Sequence, residues 1–158
     1  MSTLTVKAIE APTGYDLQMP AGATLQVVMG EYSTTTTSTS GSTSDTGLSA
    51  TITPKFNTSK ILVLVSQSFG KDATNTQVDA YLVRGSTVIV NEWLNDDVRT
   101  NDTQTLYLPP ASLVYLDSPA TTSATTYKTT WRNAAGSGTV YANNNSGKSK
   151  MILMEIAG

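Results

Sequence analysis

The sequence predicts an all-β protein, an antiparallel β-sandwich or jelly roll of about ten strands. Serine and threonine make up about 28% of the 158 residues, and β-branched threonine suits a pleated strand with one solvated face. No window of ten or more residues places apolar side chains at the i, i+3, i+4, i+7 spacing of an amphipathic helix. Instead, short runs of alternating apolar and polar residues recur between glycines, prolines and asparagines.

The first 23 residues are predicted to form an extended N-terminal arm. Apolar residues alternate with polar ones at its start and then pass into Pro/Gly breaks at residues 11–14 and 20–22. So short a segment has no core of its own, so we expect it to anchor on another protein, with an unstructured terminus as the alternative. The anchoring candidates are Leu4, Val6, Ala8 and Ile9. The domain proper then covers residues 24–158.

The rest of the chain divides into runs bounded by turn residues. The threonine-rich run at 32–42 predicts a polar edge strand followed by a loop, with a flexible linker as the alternative. Gly85-Ser86 predicts a two-residue type II′ hairpin, because glycine stands at the position that needs a positive φ. The other predicted strands are residues 25–29, 48–52, 61–65, 78–84, 87–93, 106–108, 113–116, 127–132, 139–142 and 150–156.

Residues 61–65, Ile-Leu-Val-Leu-Val, are the most apolar run in the chain. A strand that is apolar at every position, rather than at every second one, is typical of a strand covered on both faces. In a two-layer sandwich only one face of a strand meets the core. The opposite face therefore needs a second cover, for which a partner subunit is a candidate.

Composition excludes several chemistries. The chain has no cysteine and no histidine, which excludes disulfides, thiolate nucleophiles, Cys/His zinc sites, His-ligated haem and His-based catalytic triads. Ten basic against twelve acidic residues give a net charge of -2, without the basic excess expected of a nucleic-acid binder. Neither a membrane span nor the apolar core of a signal peptide is visible. We therefore expect no enzyme, no cofactor, no metal, no nucleic acid and no membrane partner.

Two motifs imitate ligand sites. Residues 142–149 fit a relaxed P-loop pattern, but a P-loop needs a helix directly after its Lys-Ser pair, and here a strand is predicted. An Asn/Gly hairpin turn is therefore expected. Asp96, Asp97 and Asp102 lie with asparagines in an oxygen-rich loop whose spacing does not fit an EF-hand. A solvated loop is predicted there, with ion binding as the alternative.

Two further residue sets have a structural and a functional interpretation. Glu31, Glu92 and Glu155 lie on predicted strands, where facing carboxylates would be needed for glycoside hydrolysis, but twelve acids supply many chance pairs. Aromatic residues in or beside the strands form either packing contacts or a sugar-stacking platform, and packing is the commoner role. These residues are Trp93, Trp131, Tyr81, Tyr107, Tyr115, Tyr127 and Tyr141.

Three stretches, residues 1–28, 42–66 and 127–158, resemble segments of virion structural proteins of tailed bacteriophages, especially marine and cyanobacterial ones. Their domains resemble the trimeric jelly rolls of the tumour-necrosis-factor and complement-head type, in which strands of three subunits pack around a three-fold axis. This chain shows no heptad stalk before the domain. The resemblance therefore implies a capsid decoration (cement) protein or short head fibre, with a tail-fibre tip that binds a host receptor as the alternative.

The resemblance also implies partners and a location. It predicts a homotrimer on the virion, attached through the arm to the major capsid protein or another virion protein, and in the tail-fibre alternative in contact with a host surface glycan or protein. Six apolar residues of two strands are then expected in the trimer interface or the core: Ile61, Val63, Val65, Met151, Leu153 and Ile156.

Overall fold

A computed structural model of the chain describes residues 20–74, 76–94, 106–107, 110–135, 137–143 and 148–158. Strands are its only regular elements within these ranges, and the predicted all-β class is confirmed. The strands are β1 (Thr24–Tyr32), β2 (Thr36–Ser38), β3 (Ser44–Ile52), β4 (Lys60–Gln67), β5 (Phe69–Lys71), β6 (Val78–Arg84), β7 (Thr87–Leu94), β8 (Leu106–Tyr107), β9 (Ala111–Asp117), β10 (Thr125–Asn133), β11 (Val140–Ala142) and β12 (Ser149–Ile156). The anchoring candidates Leu4, Val6, Ala8 and Ile9, and the loop of Asp96, Asp97 and Asp102, lie outside the described residues.

Two four-stranded antiparallel sheets form the sandwich. Sheet I has the order β1-β12-β4-β9, and sheet II has the order β3-β10-β6-β7. With the four shortest strands set aside, each sheet interleaves early and late strands of the chain, which is the arrangement of a jelly roll. Because most pairings join strands far apart in sequence, each sheet forms only when distant parts of the chain come together.

The four shortest strands form a third sheet, which we call the bridging sheet, with the order β2-β11-β5-β8. Each of its strands lies in the connection between a strand of sheet I and a strand of sheet II. The bridging sheet therefore covers one end of the sandwich. The start of β1, the end of β12 and the loop between β3 and β4 lie at the opposite end, which we call the arm end.

The sandwich core is made by the inward-facing residues of both sheets. Its buried members come from five strands, β3, β4, β6, β10 and β12: Leu48, Ala50, Ile52, Ile61, Val63, Val65, Leu82, Tyr127, Met151 and Leu153. A second cluster lies beside the bridging sheet, where the Phe69 and Trp131 rings are 6.1 Å apart. Removing a large side chain from such a core costs about 2–5 kcal/mol of unfolding free energy.

Two glycines close one side of the sandwich, where β1 approaches β3. A side chain at Gly30 would collide with the carbonyl oxygen of Ser49, so only glycine permits this approach. Gly47 has a φ of +93° and lies against the Tyr32 ring. The neighbouring register shift in the β10–β3 ladder marks a bulge at this position.

Several sequence predictions are refined by the structure. Gly85 has a φ of +59°, and Ser86 does not have a positive φ, in agreement with a type II′ turn. β3 begins at Ser44 rather than residue 48, because the bulge at Gly47 breaks the alternation on which the prediction depended. β5 was not predicted, since a three-residue strand is too short to show a period.

Candidate interaction surface

The outward face of sheet I is apolar across all four strands. The strand register places eight side chains in two parallel rows, and we call this set the apolar face. One row is Met29, Ile152, Leu64 and Val114, and the other is Val27, Met154, Leu62 and Leu116. At ordinary strand and residue spacings the face measures roughly 14 Å across the strands, with about 7 Å between the rows.

The side chains of the apolar face are open to solvent, most of all on the two edge strands. Val114 is 69% exposed, Met29 59%, Val27 57% and Leu116 50%, whereas the four residues of the central strands are half-buried. A polar row borders the face toward the bridging sheet, and Lys60 borders it toward the arm end. The polar row consists of Glu31, Lys150, Ser66 and Ser112.

The outward face of sheet II has the opposite character. Lys128 pairs with Asp45 at 2.8 Å, and Arg132 pairs with Asp79 at 2.8 Å and with Glu92 at 3.3 Å. The Arg132 guanidinium also lies 5.9 Å from the centre of the Tyr81 ring. The outward face of sheet II thus carries ion pairs, whereas most exposed large apolar side chains of the described residues lie on sheet I.

A contiguous exposed apolar surface bordered by polar residues is a candidate interaction site. Fully covering a large aliphatic side chain contributes about 1.5–3 kcal/mol, so eight partly exposed ones offer on the order of 10 kcal/mol. Association costs about 4–15 kcal/mol in lost translational and rotational freedom. The two terms are comparable, so the face forms a stable contact only when a partner covers most of it at once.

The structure divides the six residues predicted for the trimer interface or core. Five of them point inward and are buried in the sandwich: Ile61, Val63, Val65, Met151 and Leu153. Ile156 is half-buried on the outward side, next to the apolar face. The residues of β4 and β12 that do belong to the apolar face alternate along the strands with these buried residues. In the sequence, they were indicated by residues 61–65 being apolar at every position rather than at every second one.

The P-loop-like segment leads directly into a strand. Ser149 begins β12, and its buried hydroxyl donates to the Asn143 side-chain oxygen at 2.5 Å. Lys148 is exposed and lies 3.3 Å from Glu31. The helix N-terminus that binds phosphate in a P-loop is therefore replaced here by a β-strand.

The three strand glutamates are not brought together. Glu31 is paired across the ladder with Lys150, and Glu155 with Gln26, which separates the two carboxylates by about 17 Å along the strands. Glu92 lies on sheet II beside Arg132. Among the described residues no group of three or more acidic side chains is placed to hold a metal ion.

The tryptophans and tyrosines singled out as a possible sugar-stacking platform are used for packing and hydrogen bonds wherever their side chains are described. Tyr127 and Trp131 are buried, Trp93 packs edge-on against Phe69, and Tyr141 donates to Asp72 at 3.1 Å. Tyr81 lies under Arg132, and Tyr115 packs on the core. The side chain of Tyr107 lies outside the described part.

A shallow groove of about 120 Å³ lies on the outside of sheet II, between β3 and β10. Ligand pockets usually have volumes of roughly 300–1,000 Å³, so this groove is small for a substrate site. No described segment forms a helix with the length and hydropathy needed to cross a bilayer.

No family model matches the sequence, and a search of curated proteins finds no similar sequence.

Proposed function

We propose that the protein is a non-enzymatic structural component of a tailed-phage virion, a homotrimeric capsid decoration protein or short head fibre. The observation that carries the proposal is the apolar face, two rows of four side chains on the outside of sheet I. The resemblance of residues 1–28, 42–66 and 127–158 to phage virion proteins supplies the biological setting.

Second and third copies of the chain are the proposed occupants of the apolar face. All eight of its residues are uncharged, and both Glu31 and Lys150 border it, so no single sign of charge opposes the approach of an identical surface. A standard two-body interface uses roughly 20–30 residues a side, so residues around the apolar face would have to join the eight in the contact. Around a three-fold axis each copy contacts two neighbours, and closed symmetry leaves no apolar face exposed.

The alternative is a tail-fibre tip that binds a host receptor. The observation in its favour is the polarity of the fold: the bridging sheet and the start of β1 lie at opposite ends of the sandwich. A domain anchored at the arm end would present the bridging-sheet end to a host surface. Quantitative mass spectrometry of purified particles separates the two functions, since hundreds of copies indicate capsid decoration and a few to a few tens indicate a tail appendage.

Sedimentation of the purified full-length chain tests the homotrimer. At micromolar concentration we expect a mass about three times 16.7 kDa. Val114→Asp places a charge on the apolar face at its β9 edge, where burial in a contact would require its desolvation, and should yield a folded monomer. Val88→Asp is the matched control, because Val88 is 49% exposed on β7 of sheet II, and it should remain trimeric.

Two results would contradict the proposed assembly. One is a monomeric wild type at micromolar concentration. The other is equal dissociation of the Val114 and Val88 variants, since that would show that charge on any exposed strand disturbs the assembly. Circular dichroism of each variant shows whether the β-sandwich itself stays folded.

A further inference from the structure

Phe56 is an exposed aromatic residue that belongs to neither the core nor the apolar face. It is 40% exposed and lies in the loop between β3 and β4, at the arm end of the sandwich. We call residues 53–59 the arm-end loop. Four of the other five large apolar side chains that are exposed in the described part lie on the apolar face, and Val88 lies on sheet II.

A buried carboxylate holds the arm-end loop in place. Glu155 is fully buried, and its Oε1 accepts hydrogen bonds from the backbone N–H groups of Lys55 at 2.7 Å and Phe56 at 3.4 Å. The Gln26 amide donates to the Glu155 Oε2 at 2.5 Å and to the Thr53 carbonyl oxygen at 2.7 Å. The Ser59 N–H donates to the Phe56 carbonyl oxygen at 3.2 Å, which closes the turn.

This arrangement fixes the backbone that carries the Phe56 side chain before any partner binds. Burial of a carboxylate is unfavourable unless hydrogen bonds compensate it, and here the donors come from the loop itself and from β1. An aromatic side chain on a fixed backbone loses little conformational entropy on binding. A loop held by a rigid scaffold is also the usual location of binding residues.

The arm-end loop lies beside the point where the N-terminal arm joins the domain. Gly22 and Ala23 are hydrogen-bonded to Ala157 at the end of sheet I, at 2.8 and 2.9 Å. The Lys55 ammonium group donates to the carbonyl oxygen of Leu25 at 3.5 Å, on the first residues of β1. A partner that holds residues 1–19 close to the domain is thus within reach of Phe56.

The charges around Phe56 indicate what the partner carries. Lys55 precedes it, and Lys60 begins β4 just after the loop; both side chains are exposed. Neither lysine forms an ion pair with a described residue. An exposed aromatic side chain with two unpaired cations nearby is complementary to an apolar pocket bordered by carboxylates.

We infer that Phe56 is a second anchoring residue, which inserts into an apolar, acid-bordered pocket of the virion protein that the arm binds. The inference rests on the proposed function. Two linked contacts on one partner raise the effective concentration of each, so a short arm and a single aromatic side chain together bind far more tightly than either alone.

Co-sedimentation with phage particles that lack the protein tests the inference. Full-length wild type, Phe56→Ser and the control Val88→Ser are titrated onto the particles, and sedimentation velocity reports the oligomeric state of each. We expect Phe56→Ser to bind at least about tenfold more weakly while it remains trimeric, and Val88→Ser to bind as the wild type does.

Charge reversal tests the predicted border of the pocket. Lys55→Glu/Lys60→Glu should also bind at least about tenfold more weakly. Lys148→Glu, at the bridging-sheet end, should bind as the wild type does.

Equal binding by wild type and Phe56→Ser would overturn the inference and leave the proposed function in place. Failure of the wild type itself to bind would overturn the proposed function, and with it the inference.

Discussion

Asn143 is a buried residue with a φ of +58°, in the left-handed region that few non-glycine residues adopt. Its amide nitrogen donates to the carbonyl oxygens of Thr34 at 3.3 Å and Thr46 at 3.1 Å. Its side-chain oxygen accepts from Gln67 at 3.2 Å and Ser149 at 2.5 Å. One side chain thereby joins the ends of β3, β4 and β12 near the bridging sheet, and these bonds offset the cost of the unusual backbone.

A second buried polar group lies near the arm end. Asp117 accepts a hydrogen bond from the Tyr127 hydroxyl at 2.6 Å and from Arg84 at 2.7 Å. Burial raises the pKa of Tyr127, and its hydrogen bond to the Asp117 carboxylate raises it further, so the phenol remains a donor throughout the ordinary pH range. The pair fixes the end of β9 in sheet I against β10 and β6 in sheet II.

Glu155 makes the stability of the domain depend on pH. Burial opposes ionisation of this carboxyl, but the hydrogen bonds from Gln26 and from the backbone of Lys55 and Phe56 outweigh burial and lower its pKa below 4.5. A carboxyl whose pKa is lower in the folded state contributes stability above its unfolded pKa. That contribution is lost as the pH falls through the folded pKa.

Glu155→Gln should destabilise the domain at neutral pH, and the difference from wild type should shrink as the pH falls through the lowered pKa of Glu155. Glutamine keeps one acceptor oxygen but replaces the other with an NH2 group, which cannot accept, so either the Gln26 amide or the N–H groups of Lys55 and Phe56 lose their acceptor. Each buried donor left unsatisfied costs about 1–3 kcal/mol. Unfolding free energies of wild type and variant, measured in denaturant at pH 7 and pH 3 at one protein concentration, check this. A difference that does not shrink toward pH 3 would contradict the role assigned to the charge.

At the scale of elements, the sequence predicted three of the four short strands, β2 within the run 32–42, β8 at 106–108 and β11 at 139–142, and missed only β5. β2, β5, β8 and β11 have two or three residues each, and they are strands because their partners hold them in register. β3 was predicted only in part, since its bulge at Gly47 serves the approach of Tyr32. The longer strands follow the alternation closely, because each needs one face in the core.

The N-terminal arm should be dispensable for folding and required for attachment. Removing residues 1–19 leaves the contacts of Gly22 and Ala23 with Ala157 intact, so the shortened chain should remain a trimer with a similar melting temperature. Its binding to particles that lack the protein should be abolished. The full-length chain with Leu4→Asp and Val6→Asp should fail in the same way, because each charge would have to be desolvated at the docking site.

Two outcomes would contradict the separation of arm and domain. Unfolding of the shortened chain would show that residues before 20 belong to the domain. Undiminished binding to particles would place the whole anchor on the sandwich, with Phe56 as its principal contact.

At the scale of the whole molecule, the two sheets share an inner face but have different outer faces. Sheet II carries ion pairs, the exposed Lys128–Asp45 pair and the Arg132 pair with the buried Asp79, whereas sheet I exposes aliphatic rows that are not solvated favourably. Such an asymmetry gives the isolated chain a preferred side for association. It leaves sheet II and the two ends of the sandwich available for other contacts.

The proposed trimer should melt at a temperature that depends on protein concentration. Unfolding of a trimer releases three chains, so by mass action a hundredfold increase in concentration should raise the melting temperature by on the order of 5 °C. Val114→Asp should show a lower melting temperature with no such dependence. Calorimetry at two concentrations provides the measurement, and a concentration-independent wild type would argue against a trimer.

The amino-acid sequence was enough to predict the all-β class, most strand positions and the hairpin at Gly85-Ser86. These are local properties, because alternation, β-branching and turn residues act over a few neighbours along the chain. The same locality explains why the P-loop-like segment could be recognised as a turn, since a strand pattern begins directly after it.

Only the three-dimensional fold decides which alternate residues of 61–65 face outward. It also decides which residues of the other strands lie beside them. Leu64 lies in one row with Met29, Ile152 and Val114, residues brought together by ladders between strands remote in sequence. The fold also places the carboxylate of Glu155 under the loop of Phe56, about 100 residues earlier in the chain. Strand order and register depend on the packing energy of the whole sandwich, which no single stretch of sequence contains.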